Sequence, residues 1–157
     1  MKGQEQLHKS RVIKVESQES WDFLLAQASD QGCPVFIHFT ASWCVPSIAM
    51  NSFIEELATT HEDIFFLLVD VDDIKAAATK MEVKAMPTFV LMKGGDVMEK
   101  LVGANPDAIK RWIDGFCADP PFPQQPCPPL IFVYISQSIC VSTELYLVIE
   151  SFILWTM

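Results

Sequence analysis

Thr40-Ala41-Ser42-Trp43-Cys44-Val45-Pro46-Ser47 lies between an unbroken apolar run and a stretch of helical periodicity. It reads as the end of a strand and the start of a helix, with a single thiol at the junction. The amides of a helix's first turn carry partial positive charge and favour a thiolate over a thiol. A cysteine three residues beyond Cys44 would complete a dithiol–disulfide couple. Ser47 holds that place, so one thiol and one hydroxyl stand where two thiols would.

Upstream, Pro34-Val35-Phe36-Ile37-His38-Phe39-Thr40 has the pattern of a strand buried on both faces. Arg11-Val12-Ile13-Lys14-Val15 predicts a short first strand, after polar residues 1–10 expected to be flexible. Trp21, Leu24, Leu25 and Ala28 share one face of a helix over Trp21–Ala28, capped by Ser17 or Ser20 and ended at Gln31-Gly32.

Downstream, Ile48, Phe53, Ile54, Leu57 and Ala58 mark the buried side of one helix from Ser47 towards His61. Ile64–Val71 predicts a second doubly buried strand, and Asp72-Asp73 the acidic opening of a helix over Ile74–Met81. Phe89–Met92 and Val97–Val102 predict a hairpin about Lys93-Gly94-Gly95-Asp96, and Pro106 starts a last helix over Asp107–Phe116. The order β-α-β-α-β-α-β-β-α predicts an α/β fold with a mixed central sheet and helices on both faces.

The composition changes after residue 116. Residues 117–129 hold six prolines and predict a linker; residues 130–157 form an apolar tail without Lys or Arg. A spanning helix needs about 20 mostly apolar residues. Ser136-Gln137-Ser138, Ser142-Thr143-Glu144 and Glu150 interrupt or follow the run, so a membrane anchor is not expected. A net charge of −9 argues against nucleic acid and against anionic membrane surfaces. Five cysteines at irregular spacing make neither a zinc-type CxxC pair nor an even disulfide framework. The first residues lack the apolar core of a secretory signal, and a reducing, cytoplasmic setting is expected. Cys33 reads as a buried structural thiol, and His8 and His61 as surface residues.

Trp43-Cys44-Val45-Pro46-Ser47 resembles a thioredoxin site whose second cysteine is serine. Met86-Pro87-Thr88 resembles that family's cis-proline loop, and Val102-Gly103-Ala104 its glycine after the last strand. Val69-Asp70-Val71-Asp72 resembles the third strand of plant h-type thioredoxins. The four motifs, in order across residues 11–116, are similar to the plant monothiol C-x-x-S group of thioredoxin-like proteins. The family usually has a buried carboxylate on the central strand where this chain has His38. A neutral core histidine is the simpler reading of His38; a base or proton shuttle for thiols near Cys44 is the other.

The resemblance implies a thioredoxin fold and Cys44 as the nucleophile that forms a mixed disulfide with a protein client. Ser47 cannot release that client, because a hydroxyl is a far poorer nucleophile towards sulfur. Release falls to a second client thiol, which isomerises the disulfide, or to an external thiol such as glutathione, which gives weak net reduction. Ser47 is expected to hydrogen-bond the thiolate, with His38, Trp43 and Pro46 as further supports. Val45, Met86, Pro87 and Gly103 are assigned to substrate binding. Cys127 is a remote candidate for an internal resolving thiol. No cofactor or metal is expected: iron–sulfur monothiol glutaredoxins carry C-G-F-S, whose glycine and phenylalanine are missing here. The contrasting possibility is a binding module that holds clients without turnover.

Overall fold

Branched and aromatic side chains dominate Val35–Thr40 (β2), Phe65–Asp70 (β3) and Thr88–Lys93 (β4), residue types that suit a pleated, buried surface. In the computed structural model, which describes residues 10–118 and Cys127, every β2 residue is buried and most of β3 and β4 are too. With Val12–Val15 (β1) and Asp96–Val102 (β5) they form one five-stranded sheet in the order β1-β3-β2-β4-β5. β1 and β2 both pair with β3 in parallel. β4 runs antiparallel to β2 and to β5. This is the mixed α/β sheet that the element order predicts. β5 is an edge strand, exposed apart from half-buried Leu101.

Helix α1 (Gln18–Asp30) starts where Ser17 accepts the Ser20 amide and stops before Gly32, whose φ of +67° suits glycine. Helix α5 (Pro106–Ala118) has proline first, and the Asn105 side chain accepts the Ala108 amide. Ile109 and Ile113 of α5 join Phe36, Phe66, Phe89, Ile54 and Leu57 in the main core. Phe36 lies at its centre, with ring centroids 5.3 Å from Phe66, 5.7 Å from Phe89 and 5.8 Å from Trp112.

Several details correct the expectations. The helix after Cys44 is two helices, α2 (Val45–Ala49) and α3 (Asn51–Thr60). They part at Met50, whose amide bonds only three residues back, to the Ser47 carbonyl, in a 3₁₀-like step. Helix α4 (Lys75–Lys80) begins later than expected, and Asp72 and Asp73 precede its cap residue Ile74. Asp70 takes up the local bond instead, accepting the Asp72 amide at 2.9 Å.

Cys33 is not a free thiol. It is bonded to Cys127 across 94 residues, with Cα atoms 6.3 Å apart, and the Cys127 amide donates to the Glu62 carbonyl. Cys127 is thereby also excluded as a free resolving thiol in this state. His61 is half-buried rather than on the surface. Ser10, placed with the flexible start, donates at 2.6 Å to Glu55. Residues 1–9, the apolar tail 130–157 and most of the proline segment lie outside the described residues. Among the described residues no helix is long and apolar enough to cross a membrane.

Candidate functional site

The site forms where β2 ends. Cys44 caps α2 with extended backbone, and its carbonyl accepts the amides of Ser47 and Ile48 at 3.1 Å each. Pro46 sits in the first turn of α2, where a missing N–H costs no helical bond. The Cys44 side chain is half-buried, and its Sγ lies 3.6 Å from the Met86 carbonyl oxygen. Among the described residues the other free thiol is Cys117.

Met86 and Pro87 are joined by a cis peptide bond, as the Met86-Pro87-Thr88 resemblance leads one to expect. The Pro87 carbonyl accepts the Gly103 amide at 2.9 Å, which ties the turn after β5 to the loop before β4. Gly103 has φ of +110°, a backbone state that side-chain-bearing residues rarely adopt. Sequence-distant Cys44, Met86, Pro87 and Gly103 are thus linked end to end.

Ser47 turns away from this surface. It is fully buried; its hydroxyl donates to Thr40 Oγ1 at 2.7 Å and lies 3.2 Å from His38 Nε2. One hydroxyl has one proton, so the proton given to Thr40 leaves His38 as the donor, in the Nε2–H tautomer. The expected bond from Ser47 to the Cys44 sulfur is absent among the described residues: the proton is committed inward.

His38 is the core histidine of the simpler reading. It is fully buried, stacks on Phe89 with centroids 4.7 Å apart, and desolvation pushes its pKa from 6.5 down to about 4. A ring that stays neutral at pH 7 cannot supply the charge of a carboxylate at this place. Its Nδ1 is buried without a partner among the described residues.

The rim around Cys44 is apolar and open. Trp43 is 64% exposed, Val45 74% and Ile48 45%. Trp43 is not loose, because its indole Nε1 donates to Asp72 at 2.9 Å. Reasoning from sequence placed Trp43 and Val45 here but missed Asp72 as the indole's anchor, Thr40 as the acceptor for Ser47, and Ile48 as rim. Helical spacing assigned Ile48 to the core, because a pattern read over one long helix does not foresee the break at Met50.

The Thioredoxin family model matches residues 12–115. The chain is 58% identical over 107 residues to Thioredoxin-like protein CXXS1 of Arabidopsis thaliana, covering 68% of this chain and 91% of that one. A rice relative of the same description is 56% identical over 105 residues, covering 67% and 79%. A crystal structure of a poplar thioredoxin h mutant superposes with a TM-score of 0.70 at 32% identity, covering 74% of this chain and 91% of that one. With its sheet order, its Met86–Pro87 loop facing Cys44 and these matches, the chain belongs to the thioredoxin family.

Proposed function

We propose that the protein exchanges disulfides in protein clients through a mixed disulfide at Cys44, acting as an isomerase with weak reductase activity. Family membership supports a thiol–disulfide oxidoreductase. The observation that carries the finer reading is the inward commitment of the Ser47 hydroxyl at the position of a resolving thiol.

The Cys44 thiolate attacks a client disulfide; a Cys44–client S–S bond forms, the client S–S bond breaks, and a client thiolate leaves. A different client thiolate then attacks the mixed disulfide, makes a new client disulfide and returns Cys44 as thiolate. No electrons are gained or lost overall. When glutathione attacks instead, two glutathione molecules end as glutathione disulfide and the client leaves reduced. A glutathione pool supplies the external thiol for this cycle.

Trp43, Val45 and Ile48 would cover apolar client residues, and the Met86 backbone would pair with an extended client segment beside the sulfur. Pro46 and Gly103 would hold the two loops that flank it. Refolding of a scrambled disulfide protein tests the proposal: wild type should restore activity to the substrate, and Cys44→Ser should not. The exposed apolar rim also favours a second reading, a module that retains clients without turnover. Mixed disulfides that persist in excess glutathione would support that reading over the first.

A further inference from the structure

At the far end of the sheet a second cluster gathers three different ligand types. His61 and Asp63 lie in the loop between α3 and β3, and Cys117 lies in the last turn of α5. Their donor atoms fall within 4.8 Å of one another, with Cys117 Sγ 3.9 Å from His61 Nδ1 and 4.0 Å from Asp63 Oδ2. All three residues are half-buried, open to an ion yet partly shielded from water. Because β2 and β3 run parallel, a loop that enters β3 is separated from Cys44, beyond the end of β2, by the length of a strand, about 20 Å.

We propose that His61, Asp63 and Cys117 bind a divalent cation of the zinc class, with solvent in the remaining position. Thiolate, imidazole and carboxylate together suit a borderline-soft ion and disfavour magnesium or calcium. Bonds of about 2.0–2.3 Å in a tetrahedral site set donor atoms roughly 3.3–3.8 Å apart. The two contacts at the Cys117 sulfur need to contract by only a few tenths of an ångström, and the His61–Asp63 pair, within 4.8 Å, by about 1.5 Å at most.

The other nitrogen of His61 has a carboxylate near it. Nε2 faces Asp114 Oδ1 at 4.0 Å, too long for a hydrogen bond in this state, and a shift of about 1 Å on metal binding would make it the outer carboxylate that orients a metal-binding histidine. The loop itself is anchored. The Ile64 amide bonds back to the His61 carbonyl, and Cys127, held by Cys33, bonds to Glu62. Glu62, between His61 and Asp63 in the sequence, pairs with Arg11 at 3.4 Å. On binding, the Cys117 proton passes to solvent and its sulfur enters the coordination sphere as thiolate.

Cobalt(II) titration of the full chain, kept oxidised at Cys33–Cys127, tests the proposal, because a cobalt–thiolate bond gives a charge-transfer band. One equivalent should bind with that band in wild type and in Cys44→Ser. Cys117→Ser should lose the band. Asp114→Asn, at an exposed position that leaves the fold intact, should weaken binding about 10- to 100-fold. Zinc should displace the cobalt and bleach the band. A wild type without the band at excess cobalt, a band that survives Cys117→Ser, or one that disappears in Cys44→Ser would overturn the proposal.

Discussion

The Ser47 hydroxyl bridges His38 Nε2 at 3.2 Å and Thr40 Oγ1 at 2.7 Å, so the residue in the resolving position is a structural link between β2 and α2. Its substitution therefore has two separable effects. Ser47→Cys restores a second thiol, and disulfide reductase activity with a dithiol electron donor should rise well above wild type. The same change strips His38 of a hydroxyl partner and should lower stability by about 1–3 kcal/mol, measured by urea unfolding. Loss of stability without any gain in reduction would mean that the buried position keeps the new thiol away from Cys44.

His38 gives a pH signature. Its folded pKa of about 4 lies below the ordinary 6.5, so between these values the unfolded chain binds the extra proton. Its contribution to stability is therefore intact above pH 6.5 and lost as pH falls towards 4. The full loss is about 3 kcal/mol. Unfolding free energies of wild type and His38→Gln, compared across that window, should differ in slope; parallel curves would show that His38 does not titrate in this way.

Much of the fold is legible in the sequence because its signals are local. Two-face-buried strands announce themselves as apolar runs, as in Val35–Phe39, and Ser17, Gly32 and Pro106 mark helix ends by their own conformational preferences. The positions of Cys44, Pro87 and Gly103 follow from four ordered motifs. What escaped are relationships between distant residues. The Cys33–Cys127 bond joins positions 94 residues apart, and neither flank encodes the partner. Trp43 and Asp72 meet only because β2 and β3 end side by side. The direction of the Ser47 hydroxyl depends on Thr40 and His38 sharing the interior behind it.

The Cys33–Cys127 bond closes a long loop, and such closure stabilises mainly by restricting the unfolded chain. Cys127→Ser should lower stability by about 2–4 kcal/mol. Disulfide exchange at Cys44, at the other end of the sheet, should remain. If the variant unfolds at the same urea concentration as wild type, the bond does not constrain the chain in solution.

Gly103 separates backbone from side-chain effects. A Cβ there would meet nothing within 4 Å, so Gly103→Ala tests the φ of +110° alone. A cost of about 1–3 kcal/mol is expected, together with weaker client binding because the Pro87 loop loses its tie. Thermal unfolding and the concentration dependence of isomerisation read the two effects separately, and unchanged values for both would remove Gly103 from the site.

The most direct measurement follows the mixed disulfide itself. The protein is mixed with a disulfide-containing client, quenched with acid and examined by mass spectrometry before and after glutathione is added. One client should be found attached at Cys44, and the adduct should disappear when glutathione is added. An equal adduct on Cys44→Ser, or an adduct that survives excess glutathione, would contradict a single-thiol exchange at Cys44.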